Sequence, residues 1–188
     1  MGEKKYKNIP RLIGDRVKLC VIRTDDDAIE AYTRWINDER ICGWLGRGGC
    51  EGNLLDEKKW AEKESDPGAH RYNIVVDNVL IGNCAIERRN SIDRHYEIGM
   101  LIGEPEYQNK GYGTEVVRLL IRYAFRCLDA NNVMLKVYSN NPRAIACYEK
   151  AGLKECGRMH ESVFMDGKFH DIVIMEILKK EWMLEQRL

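Results

Sequence analysis

Gln108-Asn109-Lys110-Gly111-Tyr112-Gly113-Thr114 is the stretch on which the fold turns. It lies between a strand-like run over 96–102 and a long amphipathic pattern over about 112–129, whose buried stripe is Val117, Leu120, Ile121, Ala124 and Leu128. A helix begins with unpaired N–H groups and a partial positive charge, so glycines in its first turn let a phosphate reach the backbone. Lys110 adds a full charge and Thr114 a hydroxyl. A Gly-x-Gly also serves as a plain strand-to-helix turn, and these residues alone leave both readings open. Two phosphate loops are excluded. A dinucleotide fingerprint needs a third glycine where Val116 stands, and a P-loop needs its lysine after the glycine, whereas Lys110 precedes Gly111.

Upstream, residues 16–22 (RVKLCVI) alternate like a strand, and Thr24 before Asp25, Asp26 and Asp27 predicts an N-cap with acidic first-turn residues. The helix that follows places Ala28, Ile29, Tyr32, Trp35 and Ile36 on one face. Gly43, Gly46, Gly48, Gly49 and Gly52 predict a mobile loop, and a short helix over 56–64 carries Trp60 inward. Runs over 71–76 and 79–87 joined by Asp77-Asn78 read as a hairpin. Downstream, 133–138 is a strand, and Asn141-Pro142 opens a helix that ends before Gly152. Runs over 154–164 and 168–178 form a hairpin turning at Asp166-Gly167, and a charged helix over 179–188 follows. The order is β-α-α-β-β-β-α-β-α-β-β. It predicts a mixed α/β (α+β) fold, a central, mostly antiparallel twisted sheet flanked by helices, in one domain over 1–188 with its core at about 15–180.

Composition narrows the function classes. Thirty Lys plus Arg balance thirty Asp plus Glu, so the chain lacks the cationic surplus of a duplex-binding protein. No apolar run reaches the roughly 18 residues needed to span a bilayer, and the charged start has no apolar segment behind it. The expectation is a cytoplasmic chain without nucleic-acid or membrane partners, as a monomer or homodimer. Seven cysteines, an odd number with no closely spaced pair, read as reduced thiols. Four scattered histidines give no metal-ligand spacing, so no metal is expected.

A second motif decides between the open readings: Asn141-Pro142-Arg143-Ala144-Ile145-Ala146-Cys147-Tyr148-Glu149-Lys150-Ala151-Gly152-Leu153. Ala144, Ala146 and Ala151 permit close approach, and Tyr148 shares a helical face with Ala144 and Ala151. Gln-x-x-Gly-x-Gly after a strand, followed by Asn-x-x-Ala-x-x-x-Tyr-x-Lys-x-Gly-Leu, resembles the GNAT superfamily of acyl-CoA N-acyltransferases over nearly the whole chain. The opening (Leu12-Ile13-Gly14, Val17-Lys18-Leu19, Trp35-Ile36-Asn37-Asp38) and the closing segment from Gly157-Arg158 to His170-Asp171 look like its RimJ/RimL-type branch. That branch includes protein N-terminal acetyltransferases, and spermidine acetyltransferases share a similar tail.

The resemblance implies acetyl-CoA as acyl donor and transfer to a primary amine by direct attack in a ternary complex. The amine would be a protein or peptide N-terminus or a small amine, with spermidine, another polyamine or an aminoglycoside as alternatives. Gln108, Asn109, Lys110, Gly111, Tyr112, Gly113 and Thr114 would cradle the diphosphate, although the family more often has Gly or Arg where Asn109 stands. Met100, Leu101 and Ile102 would offer a free strand edge to the pantetheine arm. Asn141 would bond the cofactor near its thiol end, and Tyr148 would protonate the departing thiolate. Glu97, on the strand leading to that edge, is the candidate base, acting through water. Trp35, Trp44, Arg47 and Tyr72 are the candidate acceptor contacts. Cys147 beside Tyr148 has no cation or base near it in sequence to activate it, so it reads as a small packing residue. A non-catalytic acyl-CoA sensor is the alternative of another class; the presence of Tyr148 argues against it.

Overall fold

The structure, a computed structural model, describes residues 8–45, 52–62, 69–90, 92–165 and 167–185. Its elements in chain order are β1 (Pro10–Ile13), β2 (Lys18–Val21), α1 (Asp26–Asn37), α2 (Glu39–Cys42), α3 (Leu54–Glu62), β3 (Ala69–Val76), β4 (Val79–Asn90) and β5 (His95–Ile102). They continue with α4 (Tyr112–Cys127), β6 (Asn132–Tyr138), α5 (Pro142–Lys150), β7 (Lys154–Met165), β8 (Lys168–Leu178) and α6 (Lys179–Glu185). Short 3₁₀ turns occupy Gly43–Leu45 and Pro105–Tyr107. Among the described residues no helix is long and apolar enough to cross a membrane.

The eight strands form one sheet in the order β1-β2-β3-β4-β5-β6-β8-β7. Every neighbouring pair is antiparallel except β5 and β6. The β3–β4 hairpin turns where expected: Asp77 and Asn78 have φ of 48° and 65°, the two positive values that a two-residue turn matched to strand twist requires. Alternation along β5 divides its side chains between two layers. Tyr96, Ile98, Met100 and Ile102 pack with the main core under α4, built from Val116, Val117, Leu120, Ile121 and Ala124. Leu101 joins a smaller core on the opposite face with Tyr32, Trp35 and Ala61 of α1 and α3.

Three local readings need correction. The strand β1 was not anticipated: its four residues carry only one partly buried side chain, so no alternation marks it. Residues 39–42, to which the sequence assigned no element, form the short helix α2, capped by Asp38, whose carboxylate accepts from the Arg40 N–H at 2.9 Å. The N-cap of α1 is Asp25, not Thr24, and its side chain makes no cap bond because Arg23 holds both carboxylate oxygens. Of the predicted glycine loop, Gly52 is tied to the end of α1 by a pair of hydrogen bonds with the Asn37 amide, while Gly46, Gly48 and Gly49 lie outside the described residues.

Candidate active site

The parallel ladder between β5 and β6 is short, pairing His95 with Asn132, Tyr96 with Val133 and Glu97 with Met134. Beyond it the strands diverge, and a cavity of about 680 Å³ opens in the gap. Its wall includes β5 from Ile98 to Ile102 and, on the α4 side, Gln108, Asn109, Gly111, Gly113, Thr114, Asn141, Ala144, Cys147 and Tyr148. The wall continues through the sheet to Lys136, Tyr138 and Ile172, and to Arg40, Ile41 and Trp44 on the α2 side. The lining thus reaches from the N-termini of α4 and α5 at one end to α2 at the other.

Sequence sets the α4 end of the cavity residue by residue. Gln108 donates from its amide to the Ile102 carbonyl at 3.0 Å, fastening the loop to the end of β5. Gly111 caps α4 with φ of +86°, a left-handed conformation that favours glycine. Gly113 lets its neighbours close in: a Cβ there would stand 3.0 Å from the Met100 Cε and 3.2 Å from the Cys147 Sγ. The Thr114 hydroxyl lies 3.4 Å from the Cys147 carbonyl and Sγ, joining α4 to α5. Asn141 caps α5 by accepting from the Ala144 N–H at 3.1 Å. That use of its oxygen leaves the amide NH₂ as the donor for a ligand. Tyr148 is buried, and burial, reinforced by neighbouring Cys147, pushes its phenol well above the usual value. Burial likewise raises the Cys147 thiol, which keeps it protonated and a poor nucleophile.

The remaining candidates are dispersed. Lys110 and Tyr112 are not among the residues lining the cavity: Lys110 stands over the Tyr107 ring, and Tyr112 packs against Tyr107. Glu97 is also outside the wall. It lies on the opposite face of β5 from Ile98, its carboxylate held by the Arg89 Nε at 2.7 Å with the Lys136 Nζ 4.0 Å away. An ion-paired carboxylate off the cavity is badly placed to take a proton from a bound amine, so the surroundings of Glu97 speak against a base there. Trp35 is fully buried, its Nε1 donating to Glu104 at 3.1 Å and its ring packed on Gly103. Tyr72 is buried in the main core, edge-on to Tyr123. Neither reaches the cavity, so the expectation that they contact the acceptor fails on burial. Trp44 does line the cavity at its α2 end, joined by Arg40, Lys136, Tyr138 and Ile172, which sequence reading missed. Arg47 lies outside the described residues.

Residues 16–154 match the family described as Acetyltransferase (GNAT) domain. The chain is a GNAT acetyltransferase. A Vibrio cholerae relative, spermidine N(1)-acetyltransferase, is 32% identical over 123 residues, covering 64% of this chain and 70% of its own. YdaF of Bacillus subtilis, named as a candidate ribosomal N-acetyltransferase, is 30% identical over 123 residues, covering 65% and 67%. In structure, the Vibrio cholerae spermidine N-acetyltransferase solved with CoA and spermine superposes with a TM-score of 0.78 at 24% identity, over 90% of this chain and 99% of that one. That likeness establishes the GNAT fold, a mixed α/β sheet with flanking helices. Among the described residues no group of His, Cys, Asp or Glu is arranged to hold a metal ion.

Proposed function

We propose that this GNAT chain moves an acetyl group from acetyl-CoA to a primary amine by direct attack within a ternary complex. The observation that carries the reading is one cavity whose lining runs from the first turn of α4, with its unpaired helix N–H groups, past a buried phenol to the α2 side of the sheet. The diphosphate sits on the N–H groups of residues 111–114, where the helix dipole and the absence of a side chain at Gly111 and Gly113 favour an anion. The pantetheine arm runs along the edge of β5 that β6 leaves unpaired, bonded as an added strand.

The acceptor enters beside Trp44. Its nitrogen lone pair attacks the thioester carbonyl carbon, a main-chain N–H of Met100 or Leu101 stabilises the oxyanion, and the C–S bond then breaks. Tyr148 gives its proton to the departing sulfur, and the nitrogen's surplus proton leaves through water. The raised phenol suits a donor that must stay protonated until the thiolate forms. Among the described lining residues none is a carboxylate or a histidine, so no protein base is assigned. The amine reacts from its free form, a small fraction at neutral pH for an alkylamine with a pKa near 10.4.

The acceptor class follows the same wall. At the α2 end Arg40 is paired with Asp38, and Lys136 lies 4.0 Å from Glu97. No carboxylate lines the wall among the described residues, which leaves a polycation without an anionic partner and favours a peptide N-terminus or small amine. The polyamine reading is supported by the spermidine acetyltransferases among the relatives. The test is thiol release from acetyl-CoA across peptide N-termini, polyamines and aminoglycosides, with mass spectrometry of the product. Acetylated amine is expected. CoA binding without thiol release on any amine would instead support a sensor.

A further inference from the structure

The bend between β1 and β2 meets the proposed diphosphate loop through one residue, Arg16. Its side chain makes three separate contacts there. The Nη1 donates to the Lys110 carbonyl at 3.1 Å, the Nε to the Glu115 Oε2 at 3.3 Å, and the guanidinium lies 4.8 Å from the centre of the Tyr112 ring. The third nitrogen, Nη2, faces the loop, 3.2 Å from where a Cβ on Gly111 would stand. Glu115 completes the unit: its Oε1 accepts from the Arg16 N–H at 2.8 Å and the Val17 N–H at 3.0 Å. Gly14 leaves the room, since a Cβ there would collide with that oxygen.

The arrangement poses an electrostatic problem. Glu115 is a carboxylate in the first turn of α4, the turn that must receive a diphosphate. Burial alone would raise its pKa, but the two main-chain donors and the Arg16 charge outweigh burial and hold it below the usual range, so it is ionised. Left alone, that charge repels an incoming anion.

We propose that Arg16 is a positioning residue for CoA. It pins the Lys110 carbonyl away from the ligand, so that the following N–H groups point outward, and it cancels the Glu115 charge beside the diphosphate. Planarity matters as well as charge, because one guanidinium must bond a carbonyl, pair a carboxylate and stack on a ring together. This inference rests on the acetyl-CoA reading above.

The test is calorimetry of CoA binding to the full chain and to Arg16→Gln, Arg16→Lys, Glu115→Gln and the Arg16→Gln/Glu115→Gln double variant. Glutamine at 115 keeps the Oε1 acceptor for the Arg16 and Val17 N–H groups and removes the charge. It replaces the Oε2 acceptor of the Arg16 Nε with an NH₂, while the Arg16 bond to the Lys110 carbonyl stays available. Arg16→Gln should weaken CoA by roughly 10- to 100-fold, the range of one charge-assisted hydrogen bond. The double variant should regain part of that loss, because the stranded charge is gone, and Glu115→Gln alone should bind CoA at least as tightly as the parent. A generic structural role predicts the reverse, with the double variant no better than Arg16→Gln. Should Arg16→Gln fail to fold, Arg16→Lys carries the test: it keeps the charge, loses the fork, and should weaken CoA severalfold. CoA affinities within twofold of the parent in the Arg16 variants, or no regain in the double variant, overturn this inference alone. No heat from the parent chain overturns the acetyl-CoA reading with it.

Discussion

Replacing Gly113 by Ala separates a cost to the fold from a cost to the ligand. The added methyl would stand 3.0 Å from the Met100 Cε, 3.2 Å from the Cys147 Sγ and 3.7 Å from the Ile102 Cδ1, so the first two must give way by a few tenths of an ångström. The end of Met100 is flexible and borders the open cavity, so in the free protein it can swing inward at small cost. Alanine in a helix also gains about 0.5–1 kcal/mol over glycine. For a chain of this length that is about 1–4 °C, so the melting temperature should hold or rise slightly. With CoA filling the cavity Met100 has nowhere to go. The overpacking cost of about 1–3 kcal/mol then falls on the complex, a loss of roughly 5- to 150-fold in affinity. Thermal melts paired with CoA titrations read both quantities. An unchanged CoA Kd refutes the reasoning, whether or not the melting temperature moves.

Tyr148→Phe should lower kcat by roughly 10²–10⁴-fold with little change in the KM for acetyl-CoA, and an undiminished kcat removes the acid from Tyr148. Without a base at Glu97, kcat/KM for the amine should climb with pH toward the acceptor's own pKa, identically in the parent and in Glu97→Gln; a selective loss at neutral pH in the variant would restore Glu97 as base. Gly103→Ala drives a methyl into the buried Trp35 ring and should lower the melting temperature by about 2–12 °C, while Gly157→Ala, with no atom within 4 Å of its new Cβ, should not. Burial pushes Tyr32 up to about 12, and Tyr148 is raised too. Because the unfolded chain releases such protons near 10, the tyrosines' contribution to stability should hold below about pH 10 and fall above it; a constant melting temperature to pH 11.5 contradicts those raised values.

What the sequence disclosed was local. Asp77-Asn78 specifies its turn because both residues tolerate positive φ, and Asn141-Pro142 specifies a helix start because a short acceptor and a fixed φ act within one turn. The turn from Gln108 to Thr114 into α4 was legible for the same reason: Gly111 takes the positive φ that starts the helix, where the diphosphate is proposed to sit. The departures depend on which face a residue presents and on distant partners. Trp35 and Tyr72 look like ligands in a list of aromatics, yet one packs on Gly103 and the other against Tyr123. Parity along β5 did carry information about Glu97, which alternates away from the buried Tyr96 and Ile98 and so belongs to the other face. Arg16 gave no local signal, because its partners Lys110 and Glu115 are 94 and 99 residues away.

The central claim is that one cavity, opened where β5 and β6 part, takes the thioester between the α4 N-terminus and Tyr148. A crystal structure with CoA measures it directly. The account places diphosphate oxygens about 3 Å from the main-chain nitrogens of residues 111–114 and the thiol sulfur beside the Tyr148 hydroxyl. A diphosphate held elsewhere, or a sulfur remote from Tyr148, would contradict it.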